Sequence, residues 1–271
     1  MTAAAQLTRS SHVAADRRRV TFLRLLRSEW IKIATLRSTW WSIAITGVLT
    51  VGIAALIAVS ADAPGFDAIR AVVSPIQFTM LLAGILGSIA VTGEYSTGMI
   101  RSTLAANPVR GSALAAKAVV IAAFLLVASL VIFTIAAFVV SAVGAPNDMV
   151  IDWSDPDAST LPILAASLAM AVFALIGVGF GYMLRSGAGA IAATVGVLFV
   201  LPIVASMFSF GGESWKWITD LANYLPMVAA QSAILPGDGA ALDTPVAYLT
   251  LAGWVAASML GAWAVLRTRD A

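Results

Sequence analysis

The sequence predicts an all-α polytopic membrane protein, and three observations carry that prediction. Of the 271 residues, 60% are hydrophobic and only 11% charged, whereas a soluble domain carries roughly 25% charged residues. Six stretches, 40–60, 74–92, 118–143, 162–184, 188–210 and 246–266, contain no Asp, Glu, Lys, Arg or His. Each is close to the ~20 apolar residues that an α-helix needs to cross the hydrocarbon core. Strands of a barrel would be about half as long and would alternate polar with apolar residues.

The N-terminal segment 1–19 reads as a disordered cytoplasmic tail and holds the only histidine, His12. Residues 20–271 form the six-span domain. Its first part, "VTFLRLLRSEWIKIATLRSTWW" (20–41), has helical periodicity. Phe22, Leu23, Leu25, Leu26, Trp30, Ile33 and Leu36 share one broad face, and Arg24, Arg27, Ser28, Lys32 and Thr35 lie opposite. Glu29 and Arg37 fall inside the apolar arc and break the pattern. Such a helix belongs in the membrane interface, with Trp40 and Trp41 at headgroup level. The first span follows this long basic segment, too far from Met1 for the apolar core of a cleaved signal.

The second span stops at Gly93 and Glu94, where "GEYSTGMIRSTLAANPVRGSALAAK" (93–117) begins. Ser96 or Thr97 is placed to cap a short helix through "GMIRSTLAA", with Met99, Ile100, Thr103 and Leu104 on one side. Asn107-Pro108 ends it. The connection at 144–161 is acidic and rich in turn residues. Gly84 and Ser88 in the second span, and Gly177 and Gly181 in the fourth, have the spacing of small residues at helix crossings. Either close packing within the bundle or a dimer seam accounts for them. Pro202 is placed to kink the fifth span. Residues 211–245 include "SWKWITDLANYLPMVAAQSAIL", too polar to span and too apolar for a free loop. They read as short re-entrant helices in the outer face, divided at Pro226, or as a surface amphipathic segment.

Basic residues set the orientation. All of the 16 except Arg70 and Lys216 fall on the side holding the N-terminal segment, the second and fourth connections and the C-terminus. The opposite side carries Asp62, Asp67, Asp148, Asp152, Asp155, Asp157, Glu213, Asp220, Asp238 and Asp243. Both termini are therefore expected in the cytoplasm.

Much chemistry is excluded. The chain has no cysteine and one histidine, so thiolate sites and HExxH zinc sites are absent. None of the lysines, Lys32, Lys117 and Lys216, follows a glycine, which removes the nucleotide-binding P-loop. Spans without ionisable residues argue against ion coupling and against a membrane-embedded enzyme. No catalytic residue, metal, cofactor or nucleic-acid partner is expected.

The order of a basic amphipathic helix, "RSTWW", six spans, "GEYSTGMIRSTLAANPVR" after the second span and a long outer segment before the sixth resembles the permease subunits of type-2 ABC exporters, particularly the actinobacterial kind. The resemblance covers roughly residues 20–268, and "GEYSTGMIR" is its most specific part. It implies a plasma-membrane transport subunit with no ATPase activity of its own. The partners it implies are a separate ABC ATPase subunit, a second permease subunit (homodimer or heterodimer) and the lipid bilayer. By position it makes Glu94, Tyr95, Gly98 and Arg101 the coupling residues, and Glu29, Lys32 and Arg37 ATPase contacts on the interfacial helix. The segment 211–245 would cap the substrate path. The alternative is a non-transport scaffold, immunity or sensor subunit of the same shape.

Overall fold

Twelve α-helices account for most of the chain that the computed structural model describes, namely residues 21–60, 67–106, 109–237 and 239–268. The predicted tail, His12, Asp62, Asn107-Pro108, Asp238 and Arg269 lie outside the described residues. No strand occurs among the described residues. Six helical stretches are long and apolar enough to cross a membrane: Arg37–Ser60, Ala68–Ser96, Arg110–Asn147, Thr160–Leu184, Gly187–Gly211 and Thr244–Thr268. The chain is a multi-pass α-helical membrane protein, as its composition predicts.

Several boundaries differ from the sequence reading, each for a physical reason. The N-terminal helix is not continuous to Trp41. Helix α1 (Phe22–Thr35) ends at Leu36, which turns extended (φ −80°, ψ 112°), and α2 (Arg37–Ser60) starts at once. Arg37 therefore belongs to the first turn of the first span and not to α1. The second span begins with a buried turn, α3 (Ala68–Val73), before the break at Ser74-Pro75 and α4 (Ile76–Ser96). Arg70 is the one exposed residue of α3 and pairs with Asp67 at 3.6 Å. Helix α4 does not stop at Gly93, but carries Glu94 in its last turn.

Ser96 and Thr97 do not cap the next helix. Both hydroxyls donate backwards to the Gly93 carbonyl, at 3.0 and 2.8 Å, and so close the end of α4. The chain then turns at Gly98, whose φ of +72° lies in the left-handed region that favours glycine. Helix α5 (Met99–Ala106) buries Ile100 and rests Leu104 against the core, while Met99 stays exposed. Helix α6 (Arg110–Gly144) begins well before the apolar run at 118, so Lys117 lies inside it.

Helix α7 (Thr160–Leu184) is the most buried of the six spans and forms the hub. Helices α4, α6 and α12 (Thr244–Thr268) all pack on it. Apolar burial gives little drive to helix association in lipid, so close backbone approach matters more. The two small-residue spacings meet each other here. A Cβ on Gly177 would stand 2.0 Å from the Gly84 carbonyl oxygen, and one on Gly87 2.1 Å from that of Ala174. Ser88 Oγ lies within hydrogen-bonding reach of the carbonyls of Gly84 (3.1 Å) and Gly177 (3.2 Å) and of Thr194 Oγ1 (2.9 Å). These residues act within the bundle.

The fifth span is the least buried. It joins α8 (Gly187–Val195) to α9 (Leu201–Met207) through a π-helical turn at Gly196–Val200. Pro202 has no N–H to donate, and the widened turn just before it absorbs the lost rung. Two short helices precede the last span, divided at Pro226 as predicted: α10 (Lys216–Ala222) and α11 (Pro226–Ile234). Helix α10 buries no residue. Helix α11 is packed against α7 and α12 and buries Met227, Ala229, Ala230, Ala233 and Ile234. Trp254 of α12 donates its indole N–H to the Tyr224 carbonyl at 2.8 Å and ties this segment down.

Candidate functional site

Among the described residues, charge has been buried in the fold at one place, where α1, α4 and α6 meet at the basic end of the bundle. Glu29 and Lys32 are three residues apart on α1, and so share a face. Glu94 comes from the last turn of α4, and Lys117 from the third turn of α6. Lys32 Nζ donates to Glu29 Oε1 and Glu94 Oε1, both at 2.7 Å. Lys117 Nζ donates to Glu29 Oε2 at 2.5 Å and Glu94 Oε1 at 2.8 Å. Side-chain exposure is 4% for Glu29, 7% for Glu94 and 4% for Lys117, against 29% for Lys32. Two carboxylates and two ammoniums thus alternate in a neutral quartet that excludes water on three of its four corners.

Burial alone would push the Lys32 ammonium down. Hydrogen bonds and charge attraction from Glu29 and Glu94 outweigh it and hold the group above the usual lysine range. Lys32 Nζ also lies 3.5 Å from Thr103 Oγ1, which brings α5 to the edge of the quartet. Glu94 Oε2 is buried and has no hydrogen-bond partner among the described residues.

Glu29 explains its own irregularity. It interrupts the apolar arc of α1 because that position faces Lys117, and it is the only buried residue of the helix. Much of the remaining arc, including Phe22, Leu23 and Trp30, is exposed.

A second group lies beside the quartet. The Tyr95 ring packs edge-on against buried Tyr182, with centroids 6.3 Å apart, and the Arg185 guanidinium sits 5.4 Å from its centroid. Arg185 ends α7 in a left-handed conformation (φ 54°) and donates to the Val265 carbonyl at 3.3 Å. Arg110, at the start of α6, donates to the Leu266 carbonyl at 2.6 Å. Two arginines therefore meet the carbonyl-rich end of α12, where a helix dipole favours cations.

The structure brings together Glu29, Lys32 and Glu94, which the sequence reading treated as two separate sets. It keeps Tyr95 apart from them, half-buried on Tyr182. Gly98 forms the turn between α4 and α5, Arg101 is exposed on α5, and Arg37 is exposed on α2. Lys117 was missed as a site residue. Its signal is a lysine one residue before a long apolar run, with an acid inside an apolar arc elsewhere in the chain. Each charge announces that the other is needed.

The quartet can clamp three helices together. No group of three or more His, Cys, Asp or Glu placed to hold a metal occurs among the described residues. The quartet fixes the register of α1 against α4 and α6, because any slip would strand a buried charge. No protein-family model matches the chain, and comparison with curated proteins finds no match.

Proposed function

We propose that the chain is the membrane-spanning permease subunit of an ATP-binding cassette exporter of the type-2 kind. It would work as a dimer in the plasma membrane, with both termini and the whole basic end in the cytoplasm. A separate ATPase subunit would dock beneath the α4–α5–α6 elbow. The observation that carries the reading is the buried quartet. It fastens the peripheral helix α1 and the elbow to two membrane spans at once. A push on α5 would then reach α4 and α6 through hard electrostatic and backbone contacts, whereas a slack loop would absorb it.

Three features support this division of labour. The elbow turns through a glycine at φ +72° and presents Met99 and Arg101 outward. The chain lacks a nucleotide-binding motif, so an energy source must come from another subunit. The strong asymmetry of basic residues matches the positive-inside rule. In this reading Arg101 contacts the ATPase, while Glu29, Lys32 and Glu94 transmit force from within. The outer helices α10 and α11 would cap the path.

A photo-reactive residue at Arg101, crosslinked in native membranes, tests the docking. Capture of a nucleotide-binding subunit is expected; its absence, or capture of a kinase or other sensor partner, would turn the reading to a scaffold or sensor subunit. The cysteine-free background tests the orientation directly. Asp152→Cys should react with an impermeant maleimide in intact cells and Arg101→Cys should not.

A further inference from the structure

A groove of about 850 Å³ runs along the outside of the bundle between α1, α2 and α6. Its wall on α6 extends from Val119 to Ile132, which at 1.5 Å per residue is ~20 Å. One leaflet of the hydrocarbon core is ~15 Å deep, so the groove matches the length of a lipid tail region and part of its head. The wall is apolar: Leu26, Trp30, Ile43, Phe124 and Val127 are typical of it. Phe124 is gripped edge-on by two tryptophans, Trp30 and Trp40, each with its ring centroid 6.0 Å away. Trp40 is itself held by a 2.9 Å hydrogen bond to the Ala34 carbonyl. The shape is therefore preformed by a locked aromatic trio.

Among the described residues, Arg24 and Arg27 are the only charged ones lining the groove, and no carboxylate lines it. They sit three residues apart on α1, are exposed, and have no ion-pair partner among the described residues. We propose that this groove is a binding site for an anionic phospholipid. The acyl chains would lie along α6 against Phe124 and Val127, and the two guanidiniums would hold the phosphate and headgroup. Each guanidinium carries donors in a planar fork suited to phosphate oxygens. A net-negative headgroup satisfies both arginines, while a zwitterionic one brings its own cation into the same space. Charge also decides against a second copy of the chain as occupant. A two-fold contact through this groove would set the same two arginines against themselves. The proposal concerns the lipid alone and does not depend on the identity of any protein partner.

The test uses the full chain purified in a zwitterionic detergent and titrated with dioleoyl phosphatidylglycerol or dioleoyl phosphatidylcholine. Bound lipid is counted by native mass spectrometry. The unaltered chain should retain phosphatidylglycerol in clear excess. R24Q/R27Q should lose about tenfold in relative affinity for phosphatidylglycerol and leave phosphatidylcholine unchanged. Ala123, an exposed residue of the groove wall, offers a second variant: A123W fills the space and should reduce retention of both lipids. Equal retention of the two lipids by the unaltered chain overturns the proposal. So does undiminished phosphatidylglycerol retention in either variant, or capture of a second copy of the chain by a photo-crosslinker at Ala123.

Discussion

The two ends of the bundle hold similar acidic side chains and use them in opposite ways. At the basic end, Glu29 and Glu94 are buried and answered by lysines from other helices. At the acidic end, carboxylates are exposed and answered by their own neighbours. Asp152 accepts from the backbone N–H and hydroxyl of Ser154, at 2.9 and 2.6 Å. Asp155 accepts from the Asp157 N–H at 3.0 Å. The packing there is done by other groups: Met149 and Ile151 are buried, and Asn147 donates to the Ala58 and Val59 carbonyls, at 3.2 Å each, to close the end of α2. The comparison teaches that a carboxylate specifies tertiary position only where water has been removed from it. Left in water, it shapes a turn and keeps a helix end at the surface.

The comparison breaks most visibly at Lys117. K117M would leave two buried carboxylates sharing one ammonium, and removal of one partner from a buried ion pair costs about 3–5 kcal/mol. A loss of that size in reversible unfolding is expected. The double variant K117M/E94Q restores a one-to-one pair between Glu29 and Lys32. It should recover part of the loss, with a coupling energy of about 2 kcal/mol. Additive losses would mean that the quartet does not act as a unit.

The next effect is at Gly98. Nothing stands within 4 Å of a Cβ added there, so only the backbone conformation opposes a side chain. G98A should cost about 1–2 kcal/mol, the penalty of a left-handed alanine. G98N should cost less, because asparagine tolerates that region. Equal stability of G98A and the unaltered chain would show that the elbow can turn another way.

A smaller effect depends on pH. The folded-state pKa of Lys32 is raised, so its contribution is complete below the unfolded value, about 10.4. It is lost as pH rises through the higher folded value. Melting temperature should be flat from neutrality to about pH 10 and then fall, and K32M should blunt that alkaline fall. The smallest effect belongs to the acidic end. Hydrogen bonds from the Ser154 hydroxyl and N–H hold the Asp152 carboxyl below the usual range, yet the group is fully exposed. D152N should leave the melting temperature unchanged at neutral pH. A drop comparable to that of K117M would erase the distinction between the two ends.

How legible each feature was follows from its physical range. Span positions depend on the mean hydropathy of some 20 consecutive residues, which is a local property. Helix ends at charged residues were misplaced, because a hydropathy run ends at a charge whether or not the helix does. Glu94 and Lys117 both continue their helices, since each finds its counter-ion in a different helix. The direction of the Ser96 and Thr97 hydroxyls was misread for a related reason: a hydroxyl at a junction can serve the helix behind it as readily as the one ahead. Glu29 looked like a flaw in an amphipathic face until the face opposite it was known.

The sequence by itself determined that the chain is a helical multi-pass membrane protein with six spans, a basic end and an acidic end. Composition and charge distribution suffice for that, because lipid admits only structures with every backbone group paired, helices or closed barrels, and these apolar runs are too long and too uniform for barrel strands. Only the tertiary structure decided that Gly84 and Gly87 of α4 meet Gly177 and Ala174 of α7, and that Glu29, Lys32, Glu94 and Lys117 form one buried quartet. Such pairings join residues far apart in the chain, 88 positions for Lys117 and Glu29. Local pattern carries no term for which distant charge will neutralise a given one. Three-dimensional packing does, because a buried charge is tolerated only where its partner arrives with it.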